Sequence, residues 1–199
     1  MPPKVKFSKD AIVEAAFEIA KAEGIDQITI RKVADRVGSS IAPIYVNFPD
    51  IEALKQAVRV EIRELSQQLM SVKHSPDPFL NIGIASLKFA RAYPVLFKSL
   101  AMDKAALQGE VGLPMEQVLG EMRKEPAIAD VPDEEMMAFL FRIRAFQLGL
   151  SIMDLNGSLP EQADEAWLID MLDQTAADLM AGALLRLNGT SGDDGRGGR

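Results

Sequence analysis

Among 199 residues there is no cysteine and one histidine. Disulfides, thiolate metal sites and cysteine nucleophiles are excluded. The lone His74 sits at a proline-rich break, where an exposed loop side chain is the expected reading and general-base chemistry is not. There is no glycine-rich phosphate loop, metal-ligand cluster or nucleophile–base pairing, so no catalytic residue, metal or cofactor is assigned, and an enzyme is not expected. No uninterrupted apolar stretch approaches the ~20 residues of a membrane span. The lysines of Met1–Phe7 are not followed by the apolar run of a signal peptide. A cytoplasmic protein with no membrane partner is the expectation.

Positive charge is also in short supply, with a net charge of −7. Its distribution is uneven: residues 1–50 hold seven basic and seven acidic side chains, and residues 51–199 hold fifteen and twenty-two. The acidity belongs to the larger part. Lys4, Lys6 and Lys9 precede the first acid, Asp10. They form a basic arm able to follow phosphates or enter a minor groove, or simply a solvated terminus. Apolar residues at 48% and charged residues at 26% are ordinary for a globular protein and too apolar for a disordered one.

The apolar periodicity is helical throughout. Ser8 is an N-cap, and Phe7 is placed to staple onto Ile12. Ile12, Ala16, Ile19 and Ala20 form one stripe, and Gly24 with Ile25 predicts a Schellman stop. Thr29 caps a second helix, in which Ile30, Val33, Ala34 and Val37 recur at i, i+3, i+4 and i+7. Arg31, Lys32, Asp35 and Arg36 are left outside. Gly38 allows a reversal, and Ser40 is the expected cap of a third helix, with Pro43 at N3, where its missing N–H has no intrahelical bond to lose. The run from Thr29 to Phe48 thus reads as a helix-turn-helix, whose second helix lies in a DNA major groove.

These residues resemble the DNA-binding region of TetR-type transcriptional regulators over about residues 8–55. The resemblance rests on Thr29-Ile30-Arg31, Val33-Ala34, Gly38-Ser39-Ser40, Ile44-Tyr45 and Asn47-Phe48. It implies phosphate contacts from Thr29 and Tyr45, base contacts from Ser39, Ser40, Ile41 and Ala42, and Asn47 near the DNA backbone. Lys6 and Arg31 complete the DNA-binding candidates. Ile41 and Ile51 stand where the family often has lysines. The expected contacts are therefore apolar, suited to thymine methyls rather than guanine edges, with a shallow salt dependence. Taken singly, Tyr45 also reads as core, Thr29 and Ser40 as caps and Asn47 as a turn residue. A helical protein-interaction adaptor that does not bind DNA is the competing functional class.

Asp50 caps a fourth helix with a stripe of Leu54, Val58, Ile62, Leu65 and Leu69 to about Val72, expected to link the DNA module to the rest. Further helices are expected at 78–91, 95–102, 113–124 and 133–155, with a loop at 103–112 and a last helix beginning at Pro160. The expected fold is all-α, about nine helices: a helix-turn-helix domain at 1–50, a helical ligand-binding and dimerisation domain at 51–187, and a disordered tail at 188–199.

The helix at 133–155 is apolar nearly all round, which predicts burial on several sides. It and the segment 161–187 resemble the pair that forms the dimer interface in TetR-type proteins. Filling of a monomer core is the alternative. The run FARAYPVLFKSL resembles the interrupted helices that line ligand cavities in that family. The resemblance implies a small-molecule effector, with walls drawn from Phe89, Phe97, Met102, Met122, Phe139 and Phe146, although such residues at helical spacing also read as plain core. Arg142 and Arg144, in the most apolar helix, are expected to be buried and so to need a partner. Either an acid such as Glu135 or Asp154, or an anionic effector, would serve. The implied function is a dimeric repressor released from a palindromic double-stranded operator by an effector.

Overall fold

The computed structural model describes residues 7–106, 115–123, 128 and 131–190. Lys4, Lys6, most of the expected loop at 103–112 and residues 191–199 lie outside them. Among the described residues there are nine α-helices, one 3-10 turn and no strand, the all-α fold the periodicity predicts. The chain forms two compact units, Met1–Val72 with Lys88–Pro114, and Lys73–Leu87 with Met115–Arg199.

The first unit is built on α1 (Lys9–Glu23). Ser8 caps it by accepting the Ala11 N–H at 3.2 Å. Its buried side chains are Ile12, Val13, Ala15, Ala16, Ile19 and Ala20, and the three alanines let neighbouring backbones come close. Against α1 lie α2 (Ile30–Val37), α3 (Ala42–Asn47), α4 (Ile51–Ser71), α6 (Pro94–Met102) and the 3-10 turn Ile25–Gln27. Between α4 and α6 in the chain runs α5 (Pro78–Ala92).

Gly24 ends α1, but not by the expected Schellman stop. Its φ of 101° and ψ of 156° lie beyond the left-handed helical region, in territory open essentially to glycine alone. The Ile25 N–H, which would close that motif, instead donates to the Ser99 Oγ of α6 at 2.9 Å. A Cβ on Gly24 would stand 3.0 Å from Ser99 Cβ. The Schellman pattern occurs at Gly38, where the Ser39 N–H reaches the Ala34 carbonyl at 2.9 Å and the Gly38 N–H the Asp35 carbonyl at 3.3 Å. It recurs at Gly157, through Ser158 to Met153 at 2.9 Å.

Asp50 caps α4 by accepting the Ala53 N–H at 2.8 Å. Leu54, Val58 and Ile62 are buried as the stripe predicts, and so is Arg59. Arg59 Nη2 lies 3.0 Å from Asp103 Oδ2, with side chains only 10% and 8% exposed. Asp103 also accepts the Ala106 N–H at 2.8 Å, starting a helical turn where a loop is expected. Burial pushes the Asp103 carboxyl upward, but its hydrogen bonds from the Ala106 N–H and Arg59 outweigh this, and its pKa lies below the ordinary aspartate value.

The second unit contains α7 (Met115–Met122), α8 (Asp133–Leu155) and α9 (Glu165–Thr190). Here α8 and α9 pack on one another. The core gathers Met122, Met136, Phe139, Leu140 and Ile143. A second cluster joins Leu87, Leu150, Leu168 and Leu172. Rather than beginning at Pro160, α9 starts after Asp164, which accepts the Trp167 N–H at 2.8 Å. Residues 160–163 form a turn closed by the Ala163 N–H on the Pro160 carbonyl at 2.9 Å. The helix also continues through residues 188–190, into the expected tail.

Helix α8 is not enclosed on all sides. Met137 and Met153 are exposed, and Phe141 is 72% exposed. Arg142 and Arg144 are exposed as well, which corrects the expectation of buried cations: this chain covers only one side of α8, and both guanidiniums project from the uncovered part. Glu135 pairs instead with Arg186, at 3.4 Å. By length and composition α8 could cross a membrane. It is the partner of α9 in a packed helical unit, with Arg142 and Arg144 near its middle.

The Arg59–Asp103 pair generates a stability prediction. Asp103→Ala leaves a buried guanidinium without its carboxylate, and about 3 kcal/mol should be lost in urea unfolding near neutral pH. Because the folded pKa of Asp103 is depressed, its contribution is present above the ordinary aspartate value of about 3.9 and declines as the pH falls below it. The gap between wild type and variant should narrow in that acidic range.

Candidate nucleic-acid interface

Thr29 starts the helix-turn-helix. Its Oγ1 accepts the Lys32 N–H at 3.2 Å, and its O–H remains a donor at the exposed end of α2. Capping and a phosphate contact are therefore compatible in one side chain. Val33 and Ala34 bury the inner face of α2, while Arg31 and Arg36 are exposed. Lys32 is turned sideways, with its Nζ 2.6 Å from Glu23 Oε2 and 3.3 Å from Gln27 Oε1, and so ties α2 to the end of α1.

Helix α3 begins one residue later than the serine cap predicts. Ile41 is the N-cap residue, and its carbonyl accepts the Tyr45 N–H at 3.3 Å. Pro43 is therefore at N2 rather than N3, still within the first turn, where no intrahelical N–H bond is lost. Ser39, half-buried, donates its hydroxyl to the Ser40 carbonyl at 2.8 Å, while Ser40 is exposed. Asn47 Nδ2 donates to the Pro43 carbonyl at 2.8 Å, so its amide folds back onto its own helix.

Two faces result. Ile44 and Phe48 are buried, at 0% and 3% exposed, and Lys9 Nζ lies over the Phe48 ring at 5.4 Å from its centroid. On the other side Ile41 is 50%, Tyr45 53% and Val46 85% exposed, with Ala42 also exposed. Val46 is absent from the sequence candidates, though its position one turn after Ala42 would have revealed it. Helix α3, APIYVN, contains no charged residue. The cations nearest in sequence are Arg36 of α2 and Lys55 of α4. Lys6 lies outside the described residues.

The effector candidates divide between the units. Phe89 and Phe97 are buried in the first, with ring centroids 6.4 Å apart, and Tyr93 is 5.6 Å from Phe89. Met102 ends α6 at 83% exposed, the position of a surface side chain. Met122 and Phe139 are core residues of the second unit, and Phe146 packs partly buried beside them. Among the described residues, no group of three or more metal-ligating side chains comes together.

Comparison with known proteins bears on this arrangement. Residues 12–58 match the sequence profile "Bacterial regulatory proteins, tetR family". None of the curated proteins matches the chain in sequence. Solved structures match its fold along nearly the whole length. A tetR-family transcriptional regulator from Streptomyces coelicolor superposes with a TM-score of 0.66 at 16% identity, covering 94% of each chain. A putative tetR-family regulator from a Shewanella species gives 0.60 at 16% identity, over 87% of this chain and 96% of that one. A TetR variant from Acinetobacter baumannii in complex with minocycline gives 0.57 at 16%, over 90% and 97%.

The two faces of α3 should separate in mutagenesis. Val46→Ala and Tyr45→Ala remove exposed groups and should change stability by no more than about 0.5 kcal/mol. Ile44→Ala, which empties a fully buried site, should cost about 2–5 kcal/mol. Thermal and urea denaturation of the three variants would check this division.

Proposed function

We propose that the chain, whose residues 12–58 match the tetR family of bacterial regulatory proteins and whose fold is TetR-type, is a cytoplasmic, homodimeric repressor. In this reading it holds a palindromic operator and releases it on binding a small-molecule effector. The DNA-binding domain is residues 1–50 and the regulatory and dimerisation domain is residues 51–187. The observation that carries the reading is the division of α3, with Ile44 and Phe48 buried and Ile41, Tyr45 and Val46 exposed. An outward apolar face on a short helix costs solubility unless something covers it, and the major groove accommodates a helix of this kind. Thr29, Ser39, Ser40, Ile41, Ala42 and Tyr45 form the contact set, with Lys6, Arg31 and Asn47 toward the phosphates.

Dimerisation sets two α3 helices about one or two DNA turns apart. The uncovered flank of α8 supports this, as does Leu185 of α9, 72% exposed like Phe141. An effector is supported by the family fold and by minocycline in the Acinetobacter relative. The chemistry of this chain's own effector is a separate matter, because the candidate side chains in the second unit are mainly core.

Mobility-shift assays on DNA upstream of the chain's own gene, followed by footprinting, test the proposal. A palindromic footprint with a shallow dependence on salt is expected, since α3 carries no cation. Absence of any bound sequence in a genomic selection would favour the adaptor instead. Phe141→Glu places a charge on the α8 flank and should convert dimer to monomer in sedimentation, with loss of operator binding. A monomeric wild type would refute the dimer.

A further inference from the structure

The side chains of α3 favour one kind of base contact. Guanine O6 and N7 are read by Arg or Lys, and adenine N6 and N7 by a bidentate Asn or Gln. The helix has no charged residue, and its one amide, Asn47, donates to the Pro43 carbonyl at 2.8 Å. The Ser39 hydroxyl donates to the Ser40 carbonyl. The exposed side chains that remain are the hydroxyls of Ser40 and Tyr45 and the aliphatic groups of Ile41, Ala42 and Val46. Among major-groove edges the one apolar feature is the C5 methyl of thymine.

Geometry and charge agree with this match. Ala42 and Val46 are one helical turn apart, about 6 Å of rise, or roughly two base-pair steps. Val46, at 85%, is more exposed than Ile41 at 50% or Tyr45 at 53%. The exposed Arg31 and Arg36 of α2 supply flanking positive charge for phosphates, so the apolar strip is free to face bases.

We propose that α3 reads the 5-methyl group of pyrimidines in the major groove, with Val46 as the principal reader and Ile41 and Ala42 beside it. Thymines therefore occupy those positions of each half-site. A 5-methylcytosine placed there binds better than cytosine, which makes the contact sensitive to DNA methylation. This rests on the DNA-binding reading above and specifies the chemistry that it selects.

The test uses the full chain and the best duplex from selection out of a random library. Each thymine of one half-site is replaced in turn by deoxyuridine, which removes only the methyl, and affinity is measured by fluorescence anisotropy. At one or more positions a loss of about fourfold is expected, the equivalent of one buried methyl. At the same positions 5-methylcytosine should bind more tightly than cytosine by a similar factor. In Val46→Ala the thymine–uracil difference should vanish at the position facing residue 46, while Val46→Ile should keep it. Specific binding indifferent to uracil at every position overturns methyl reading and leaves the regulator intact. Discrimination that persists fully in Val46→Ala overturns the assignment to Val46. Failure to select any duplex overturns both this inference and the DNA-binding reading.

Discussion

The N-terminal unit depends on the burial of α1. Its inner surface is built largely of Ala15, Ala16 and Ala20 between Ile12, Val13 and Ile19, so neighbouring helices approach it closely and have little room to shift. On this surface rest α2, α3, α4, α6 and the 3-10 turn. The exposed face of α3 is held outward because Ile44 and Phe48 have nowhere else to pack. A six-residue helix has too few internal hydrogen bonds to persist alone, and its orientation is borrowed from α1.

The same dependence explains the glycine at the end of α1. Gly24 adopts a conformation closed to other residues while the neighbouring Ile25 N–H is held by Ser99. The backbone between α1 and α2 is thereby fastened to α6, a segment far away in sequence. Arg59 and Asp103 make a second such join, between α4 and the residue that follows α6. Two polar contacts, one part-buried and one between side chains only 10% and 8% exposed, tie segments of this unit that are distant in sequence. Apolar packing, which is less directional, fills the space between.

Local features were legible in the sequence. The predicted caps Ser8, Thr29 and Asp50 each accept the N–H three residues on, and the stripe Leu54, Val58 and Ile62 is buried. Long-range pairings were not, because nothing local in Arg59 says that Asp103 will meet it. Sequence placed the buried guanidinium in α8, on the ground that a helix so apolar must be enclosed. The structure puts it in α4 and leaves Arg142 and Arg144 exposed. Composition gives the apolarity of a helix but not which of its faces are covered. At the candidate site, the helix-turn-helix was readable from periodicity, whereas the outward Ile41, Ala42 and Tyr45 came from the family resemblance. Val46 was missed, and the inward turn of the Asn47 amide depends on a hydrogen bond that periodicity does not encode.

In the proposed DNA complex, the lack of charge on α3 also alters the thermodynamics of the contact. Where a protein grips DNA mainly through cations, binding is driven by released counterions, and ionic strength is the variable that sets occupancy. A face of Ile41, Ala42 and Val46 gains instead by shedding water from aliphatic surface, and such burial carries a negative heat-capacity change. The enthalpy of association then becomes more favourable on warming while its entropy becomes less so, and affinity passes through a maximum along the temperature axis. In the proposed complex, temperature would therefore join ionic strength, felt through Arg31 and Arg36, as a variable that sets occupancy.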